Sequence, residues 1–324
     1  MRLLALLVLV GCASTREPGP TPARAFYFWR TVLALSDAER AALTGVSRLY
    51  VRMFDVGADG ALLGKITGTA PSGLDIVPVV FLANDVFKHP PPELAATVYT
   101  EMMARARALG AAPHELQLDC DWSDATRDAY FAFLRELRGA LPLSATIRLH
   151  QVKYRERTGV PPVDRGMLMF YNMGKFSPDP DARAIVDPDA AARYVGRIRD
   201  YPLALDAALP IWSWTVQVRD DQVIDLLQAT DPDELAGLDF LSRSGADRYV
   251  ATRSAFLHGV LLNEGDVLKI EVTGPTEALA AARMLAAYLP PARGGRTVAL
   301  FDLSERNLNR HGIENLARVF STVH

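Results

Sequence analysis

The sequence predicts an α/β protein, a (β/α)8 barrel of the TIM type, and three observations lead to this prediction. Eight short β-rich runs alternate with helical stretches, the order expected of parallel strands joined by crossover helices. The 324 residues are 49% hydrophobic and 23% charged, which is typical of a well-packed globular protein. No glycine-rich phosphate loop follows a predicted strand, which disfavours the alternative, a doubly wound open sheet.

The predicted elements follow one another along the chain. Strands are predicted at 25–30, 48–55, 75–82, 115–122, 143–150, 166–172, 205–214 and 297–303. A helix follows Ser36, whose spacing from Glu39 is that of a capping box. Further helices are predicted near 92–109, 124–139, 190–199, 276–288 and 313–320. Residues 238–291 do not fit the repeat, and we expect them to form an insertion between strands seven and eight, a β-hairpin turning at 264–266 plus a helix.

The first twelve residues are similar to a bacterial lipoprotein signal peptide. Arg2 precedes the short apolar run 3–10, and Leu9-Val10-Gly11-Cys12 resembles a lipobox. The run is far shorter than the roughly 20 residues of a membrane-spanning helix, so an anchor of that kind is disfavoured. We therefore predict a signal peptide over 1–11, lipidation of Cys12, a Pro-rich tether over 12–24 and one barrel domain over 25–324.

This reading places the protein outside the cytoplasm, anchored to a membrane through the Cys12 lipid. Ala13 stands where an aspartate often retains lipoproteins in the inner membrane, which favours the outer membrane facing the periplasm in a Gram-negative organism. The alternative is an ordinary secretory signal with a chance cysteine. With Cys12 lipidated, Cys120 has no intramolecular partner, so we expect no disulfide framework.

Several function classes are disfavoured by charge and motifs. The formal net charge of −3 offers no general attraction to nucleic acid. The sequence contains no P-loop, Gly-x-Ser-x-Gly elbow or Cys-x-x-Cys pair, which argues against NTPase, serine hydrolase and redox roles. No paired histidines indicate a metal site, and we expect His150 to be a hydrogen-bonded core residue more readily than a ligand. No metal and no cofactor are predicted.

Polar and aromatic residues gather at the carboxyl ends of the predicted strands, the place where barrel enzymes carry their active sites. Buried parallel strands are normally apolar throughout, so ionisable groups at these ends need a solvated pocket or mutual pairing. The residues concerned are Arg30, Asp55, Asp119, Asp121, Arg148, His150, Tyr171, Asn172, Trp212, Trp214 and Asp302.

Strand four carries the sharpest pattern. Side chains alternate along a strand, so Asp119 and Asp121 share one face with Gln117, and this polar face is expected to look into the barrel. Two carboxylates at i and i+2 perturb each other's pKa, which can keep one acid protonated beside an ionised partner. The alternative is structural: Asp119 pairs with Arg148 or Arg52, and Asp121 caps the next helix.

Two resemblances accompany these residues. Leu118-Asp119-Cys120-Asp121-Trp122-Ser123 and Met169-Phe170-Tyr171-Asn172 are similar to the strand-four and strand-six elements of family 18 glycoside hydrolases, the chitinase-like barrels. The resemblance implies a glycosidase-like barrel that acts on carbohydrate. Those enzymes place a proton-donating glutamate two residues after the last aspartate of the strand-four motif, where this sequence has Ser123.

The mature chain also resembles a bacterial lipoprotein family known as a domain of unknown function. The shared strings are Phe28-Trp29-Arg30-Thr31, Arg52-Met53-Phe54-Asp55, Asp119-Cys120-Asp121-Trp122, Ile147-Arg148-Leu149-His150-Gln151 and Met169-Phe170-Tyr171-Asn172-Met173-Gly174. This resemblance covers nearly the whole mature chain and implies an exported lipoprotein, but it brings no activity with it.

The sequence therefore predicts a lipid-anchored, glycosidase-like barrel that acts on or binds carbohydrate, and it leaves open whether the protein is an enzyme. Asp121 is the candidate acid or stabilising carboxylate, with Asp119 modulating its pKa. Trp212 and Trp214 are expected to stack on sugar rings, with core packing as the alternative for each. Lys269 and Glu271 are expected to form a surface ion pair. The substrate-binding candidates are Arg30, Asp55, Arg148, His150, Tyr171, Asn172, Trp212 and Trp214. The alternative function is a non-catalytic sugar-binding lipoprotein.

Overall fold

The computed structural model describes residues 21–139, 141–179, 181–228, 230, 232–291 and 294–323. Eight parallel strands form a closed barrel, because the first strand pairs with both the second and the eighth. The strands are Ala23–Phe28, Arg48–Val56, Asp75–Leu82, Leu116–Asp119, Leu143–Arg148, Arg165–Met169, Leu205–Pro210 and Thr297–Phe301. The predicted (β/α)8 barrel is confirmed. The predicted signal peptide and Cys12 lie outside the described residues.

Helices surround this barrel. They are Asp37–Ala42, Leu94–Ala108, Arg127–Leu137, Leu149–Lys153, Arg155–Thr158, Pro188–Val195, Pro275–Tyr288, Glu305–His311 and Ile313–Thr322, with 3-10 turns at Asn84–Lys88 and Ile198–Asp200. Short strands Val32–Leu33, Leu62–Leu63 and Thr67–Gly68 lie in the connections after strands one and two. Among the described helices, none is both long enough and apolar enough to cross a membrane. The predicted capping box is present, since Glu39 N donates to Ser36 Oγ and Ser36 N donates to Glu39 Oε2.

The alternation of side chains along the strands divides the apolar core into two parts. On strand four, Leu116, Leu118 and Cys120 pack outward against the helices, in the larger cluster of buried residues. The opposite face points into the barrel, where Gln117 accepts a 2.6 Å hydrogen bond from Tyr27 Oη. The predicted orientation of strand four is therefore confirmed, and it brings Asp119 to the inner face at the barrel mouth.

The insertion between strands seven and eight begins earlier than predicted. Strand seven ends at Pro210, not Trp214, and Ser213–Arg219 starts a separate five-stranded antiparallel sheet. The spatial order of its strands is Gln222–Gln228, Ser213–Arg219, Val267–Val272, Arg248–Ala251 and Leu241–Gly245. The helix Pro232–Ala236 lies between two of these strands in the chain. The sequence concealed this boundary, because two consecutive buried strands read as one apolar run.

The predicted hairpin turning at 264–266 is also wrong in its pairing. A turn closes there, since Asp266 N donates to Asn263 O. However, Val260–Leu262 pairs with Ala255–Leu257, whereas Val267–Val272 pairs with Ser213–Arg219 and Arg248–Ala251. The strand after the turn therefore pairs within the larger sheet and not with its neighbour in the chain.

Strand five is shorter than predicted. It ends at Arg148, and the helix Leu149–Lys153 begins at once, so His150 lies in the first helical turn. The Gln151 side chain accepts a 2.8 Å hydrogen bond from Arg148 N, which satisfies a backbone donor at the helix start. His150 is solvent-exposed and not the buried core histidine that the sequence favoured.

Candidate active site

A cavity of about 920 Å3 opens at the carboxyl ends of the barrel strands. All eight strand ends contribute at least one lining residue. In strand order these include Trp29, Asp55, Phe81, Asp119, Arg148, Tyr171, Trp212 and Asp302. Such a convergence is typical of the functional end of a barrel, since its floor is made by side chains from many separate strands.

The structure brings together most of the predicted site residues. Those that line the large cavity are Arg30, Asp55, Asp119, Arg148, Tyr171, Asn172, Trp212 and Trp214. Asp121 and His150 line a smaller cavity of about 250 Å3 instead. The two cavities share Arg148, Tyr171 and Asn172, so these three residues form the wall between them. Asn172 has a φ of 53°, a left-handed conformation that asparagine adopts more readily than most residues.

Aromatic rings form one side of the large cavity around Phe301. The Phe301 ring centre lies 5.3 Å from that of Trp29, 5.2 Å from that of Trp212 and 5.7 Å from that of Tyr171. Trp212 is half-buried, whereas Trp214 is only 7% exposed and donates its Nε1 hydrogen to Glu271. The two tryptophans therefore differ, since Trp212 presents free surface and Trp214 is mostly packed.

A β-bulge in strand two explains the pairing of two charged residues. Arg52 and Asp55 are three positions apart, so they would face opposite sides of a regular strand. The register with strand three shifts between Arg52 and Phe54, which adds a residue and returns both side chains to one face. Arg52 then donates to both carboxylate oxygens of Asp55, with 2.6 Å from Nε to Oδ1.

The strand-four aspartates are joined through Arg148. Asp121 binds Arg148 Nε and Nη2, whereas Asp119 accepts a 2.7 Å hydrogen bond from Thr146 Oγ1 and lies 4.0 Å from Arg148 Nη2. The structural alternative in which Asp121 caps the next helix is wrong, because Thr126 occupies that position. Arg148 thus holds the two carboxylates on either side of the wall between the cavities.

The carboxyl group of Asp119 is held in an unusual electrostatic environment. Burial raises its pKa above the ordinary value, and the charges of Asp121 and Asp55 raise it further. The Arg148 guanidinium and the Thr146 hydrogen bond act in the opposite direction, but the pKa remains raised. Raised carboxyl pKa values are typical of functional sites.

We expect Asp119→Asn to stabilise the protein above the raised pKa. The pKa of Asp119 is higher in the folded than in the unfolded protein. The stability that this difference contributes is fully present below the unfolded-state pKa and is lost as pH rises through the folded-state pKa. Asparagine can still accept the Thr146 hydrogen bond but never ionises. Thermal midpoints measured from pH 3 to pH 8 should therefore favour the variant at high pH, with the difference shrinking toward low pH. Parallel curves for the two proteins would contradict this assignment.

Three carboxyl groups of the cavity, those of Glu39, Asp302 and Glu305, were not predicted as site residues. Glu39 is buried and accepts two hydrogen bonds from Arg30 Nη2, at 2.8 and 2.9 Å, and one from Glu305 N. The capping-box pattern indicated a helix start and carried no sign of these distant partners. Asp302 was recognised only as a polar strand end, and the structure adds that Asn307 donates to its carboxyl group.

The insertion contributes a buried ion pair, where the sequence predicted a surface one. Lys269 Nζ lies 3.3 Å from Glu271 Oε1, and both side chains are almost fully buried. Lys269 also donates to the backbone carbonyls of Ser177, Asp179 and Ala182, while Glu271 accepts from Ala184 N. The pair therefore fastens the loop after strand six to the insertion, next to Trp214.

The described residues contain no group of three or more His, Cys, Asp or Glu side chains that could hold a metal ion. Cys120 is a buried free thiol. The side chains that line the mouth include carboxyl groups, arginines and aromatic rings.

Solved structures with the same architecture provide a comparison. The spore cortex-lytic enzyme SleL of Bacillus cereus matches with a TM-score of 0.56 at 13% identity, over 95% of this chain and 75% of that one. A family 18 chitinase of Cycas revoluta, in complex with (GlcNAc)3, matches with a TM-score of 0.53 at 11% identity, over 93% and 99%. The chain has a chitinase-like barrel fold. The class V chitinase of Nicotiana tobaccum has a TM-score of 0.52 at 12% identity, over 93% and 99%.

No protein-family model matches the sequence, and no curated protein matches it significantly. The likeness of this chitinase-like barrel to known proteins is therefore one of fold. At the position where the resemblance expects a proton-donating glutamate, Ser123 Oγ lies 3.1 Å from Thr126 Oγ1 and within 3.5 Å of Asn84 Nδ2. A serine hydroxyl does not protonate a leaving group, so any acid in this barrel must be another residue.

Proposed function

We propose that the large cavity of this chitinase-like barrel is a carbohydrate-binding site. The observation that carries the proposal is the composition of its wall, in which a half-buried Trp212 and Phe301 lie beside Asp119, Arg148 and Asn172. A sugar ring has apolar faces and hydroxyl groups at its edge, so it needs an aromatic surface next to hydrogen-bonding groups.

The charges at the mouth support a neutral oligosaccharide as the ligand. Arg30, Arg52 and Arg148 are each bound to a carboxylate, namely Glu39, Asp55 and Asp121. Arginines that are already paired offer no basic track to a strongly anionic polymer. The complex of the Cycas revoluta chitinase makes (GlcNAc)3 a suitable first probe.

The proposed binding site can belong to a glycoside hydrolase, and a non-catalytic sugar-binding role is the second candidate. The observation that favours it is Ser123 in place of the glutamate, together with the neutralisation of Asp121 by Arg148. Binding is common to both candidates, so turnover separates them.

Titration calorimetry with neutral oligosaccharides tests the binding proposal. The panel should contain (GlcNAc)3, cellotriose, xylotriose and maltotriose, with polygalacturonate as an anionic control. We expect saturable binding of at least one neutral member and none of the polyanion. Absence of binding to every neutral member would refute the carbohydrate proposal.

We also propose that the protein is an exported lipoprotein, anchored through Cys12 to the outer membrane and facing the periplasm. The lipobox-like string Leu9-Val10-Gly11-Cys12 and the Pro-rich tether support this proposal. A lipid anchor would hold the barrel near envelope glycans without a membrane-spanning helix.

We expect Cys12→Ser to abolish lipidation, because only a thiol accepts the diacylglycerol group. Metabolic labelling with a fatty-acid analogue should mark the wild-type protein and not the variant. Cys120→Ser is the matched control, and it should retain the label. Equal labelling of wild type and Cys12→Ser would contradict the anchor.

A further inference from the structure

Asp302 occupies a distinctive place in the large cavity. It follows the end of strand eight, directly after Phe301, the centre of the aromatic wall. Asn307 Nδ2 donates to Asp302 Oδ1 at 2.7 Å and to its backbone oxygen at 3.0 Å. Asn307 is itself fixed, because its backbone N donates to the N-cap residue Ser304. The carboxyl group is therefore oriented by a neutral partner, Asn307.

Three other carboxyl groups of the cavity, those of Glu39, Asp55 and Asp119, are engaged with arginine, whereas Glu305 is exposed at its rim. Glu39 and Asp55 are each bound by an arginine, and Asp119 lies 4.0 Å from Arg148. By contrast, no lysine or arginine nitrogen in the described residues lies within 4.0 Å of the Asp302 carboxyl group. A carboxyl group bound by arginine is held in its ionised form and is a poor proton donor. None of the described residues gives Asp302 such a partner.

We propose that Asp302 is the general acid of a glycoside hydrolase site at this mouth, an inference that rests on the carbohydrate-binding role. The Asp302 carboxylic acid gives its proton to the glycosidic oxygen as the bond from that oxygen to the anomeric carbon breaks. The electron pair of the bond stays with the leaving oxygen, which departs as an alcohol. Water then adds to the anomeric carbon and returns one proton to the Asp302 carboxylate.

Asp119 lines the same cavity, and its carboxylate form can stabilise the positive charge that develops on the sugar ring. The position of Asp302 beside the aromatic wall places it at the edge of the surface where a sugar ring would stack. The proton donor that the resemblance expects at position 123 is then supplied by a carboxyl group that follows a different strand.

The electrostatic environment agrees with this role. Burial raises the pKa of Asp302, Arg30 and Asn307 lower it in part, and Glu39 raises it. Arg30 is itself bound to Glu39, and the neighbouring Glu305 is exposed. A general acid acts in its protonated form, so hydrolysis is expected to fall as pH rises through the raised pKa of Asp302.

The test compares Asp302→Asn with wild type on two kinds of glycoside of the panel sugars. Methyl glycosides have a poor leaving group that needs a proton, whereas 2,4-dinitrophenyl glycosides have a leaving group that needs none. We expect Asp302→Asn to lower kcat on methyl glycosides by about 100-fold or more and to affect the dinitrophenyl glycosides far less. The falling limb of the wild-type pH profile should disappear, and binding by calorimetry should be nearly unchanged.

A matched control is Asp128→Asn, an exposed aspartate on the helix Arg127–Leu137 away from both cavities, and its kcat should equal that of wild type. Asn307→Ala is a second variant, which keeps the acid and removes the hydrogen bond that lowers its pKa. Its falling limb should move to higher pH. This shift is expected of a positioning residue and not of one that only supports the fold.

The outcomes separate the two proposals. Wild type that binds a panel sugar but hydrolyses none of its glycosides overturns the role of Asp302 and leaves carbohydrate binding intact. Hydrolysis that is equally fast in folded Asp302→Asn also overturns it. So does a leaving-group signature that appears in Asp121→Asn and not in Asp302→Asn. Wild type that binds no neutral sugar refutes the proposed function itself.

Discussion

Replacing Lys269 by methionine is expected to destabilise the protein by about 3–5 kcal/mol, because it leaves the Glu271 carboxylate buried without its cation. Both side chains are nearly inaccessible to solvent, and Lys269 Nζ also satisfies three backbone carbonyls of the loop after strand six. Urea denaturation followed by far-UV circular dichroism measures the loss. Hydrogen exchange should increase first in residues 177–179 and 181–184, since the lysine holds this part of the loop.

The double variant Lys269→Met/Glu271→Gln is the matched control. Glutamine keeps an acceptor for Trp214 Nε1 and Ala184 N but carries no charge, so no unpaired ion remains buried. We expect the double variant to recover much of the lost free energy of unfolding. A single variant that costs less than about 1 kcal/mol would mean that Glu271 accepts a proton or reaches solvent when the lysine is removed, against the pairing described above.

The second large effect is a difference between the two tryptophans at the mouth, which are expected to respond differently to replacement by alanine. Trp212→Ala should lower the affinity for the neutral oligosaccharide by at least about 10-fold, or 1.4 kcal/mol, because its exposed face offers the stacking surface. Trp214 is 7% exposed and hydrogen-bonded to Glu271. Trp214→Ala should therefore cost about 3–5 kcal/mol of stability, as expected for a packed aromatic residue. Calorimetry and urea denaturation measure the two quantities.

Phe256→Ala is the control for this comparison. Phe256 is 71% exposed on the hairpin Ala255–Leu257/Val260–Leu262, and it does not line the large cavity. Its removal should change neither affinity nor stability appreciably. If Trp212→Ala unfolds the protein as Trp214→Ala does, while its affinity per folded molecule is unchanged, then both rings are core residues.

Local patterns predicted the parts of the fold that depend on neighbours in the chain. The alternation of strand four predicted which of its faces enters the barrel, and the spacing of Ser36 and Glu39 predicted a capped helix. Both patterns work because a strand or helix presents its side chains with a fixed period whatever it packs against. Most residues of the cavity followed from the same reasoning, although strands five and seven end earlier than predicted.

Other features depended on contacts that no local pattern encodes. The apolar run 205–214 was predicted as one strand, although Ser213 onward belongs to another sheet, because burial in either sheet requires the same side chains. The bulge that pairs Arg52 with Asp55 arises from the register with strand three. The exposure of His150 follows from a helix that begins one residue after the strand ends.

The sequence by itself determined that the chain forms a (β/α)8 barrel and that ionisable and aromatic residues meet at one end of it, because these conclusions require only periodicity and element order. Tertiary structure alone decided the electrostatic partners. Arg148 joins Asp119 and Asp121, Arg30 neutralises Glu39, and Asp302 is left with Asn307. The physical reason is that the interaction between charges depends on distances of a few ångströms between strands that are far apart in the chain.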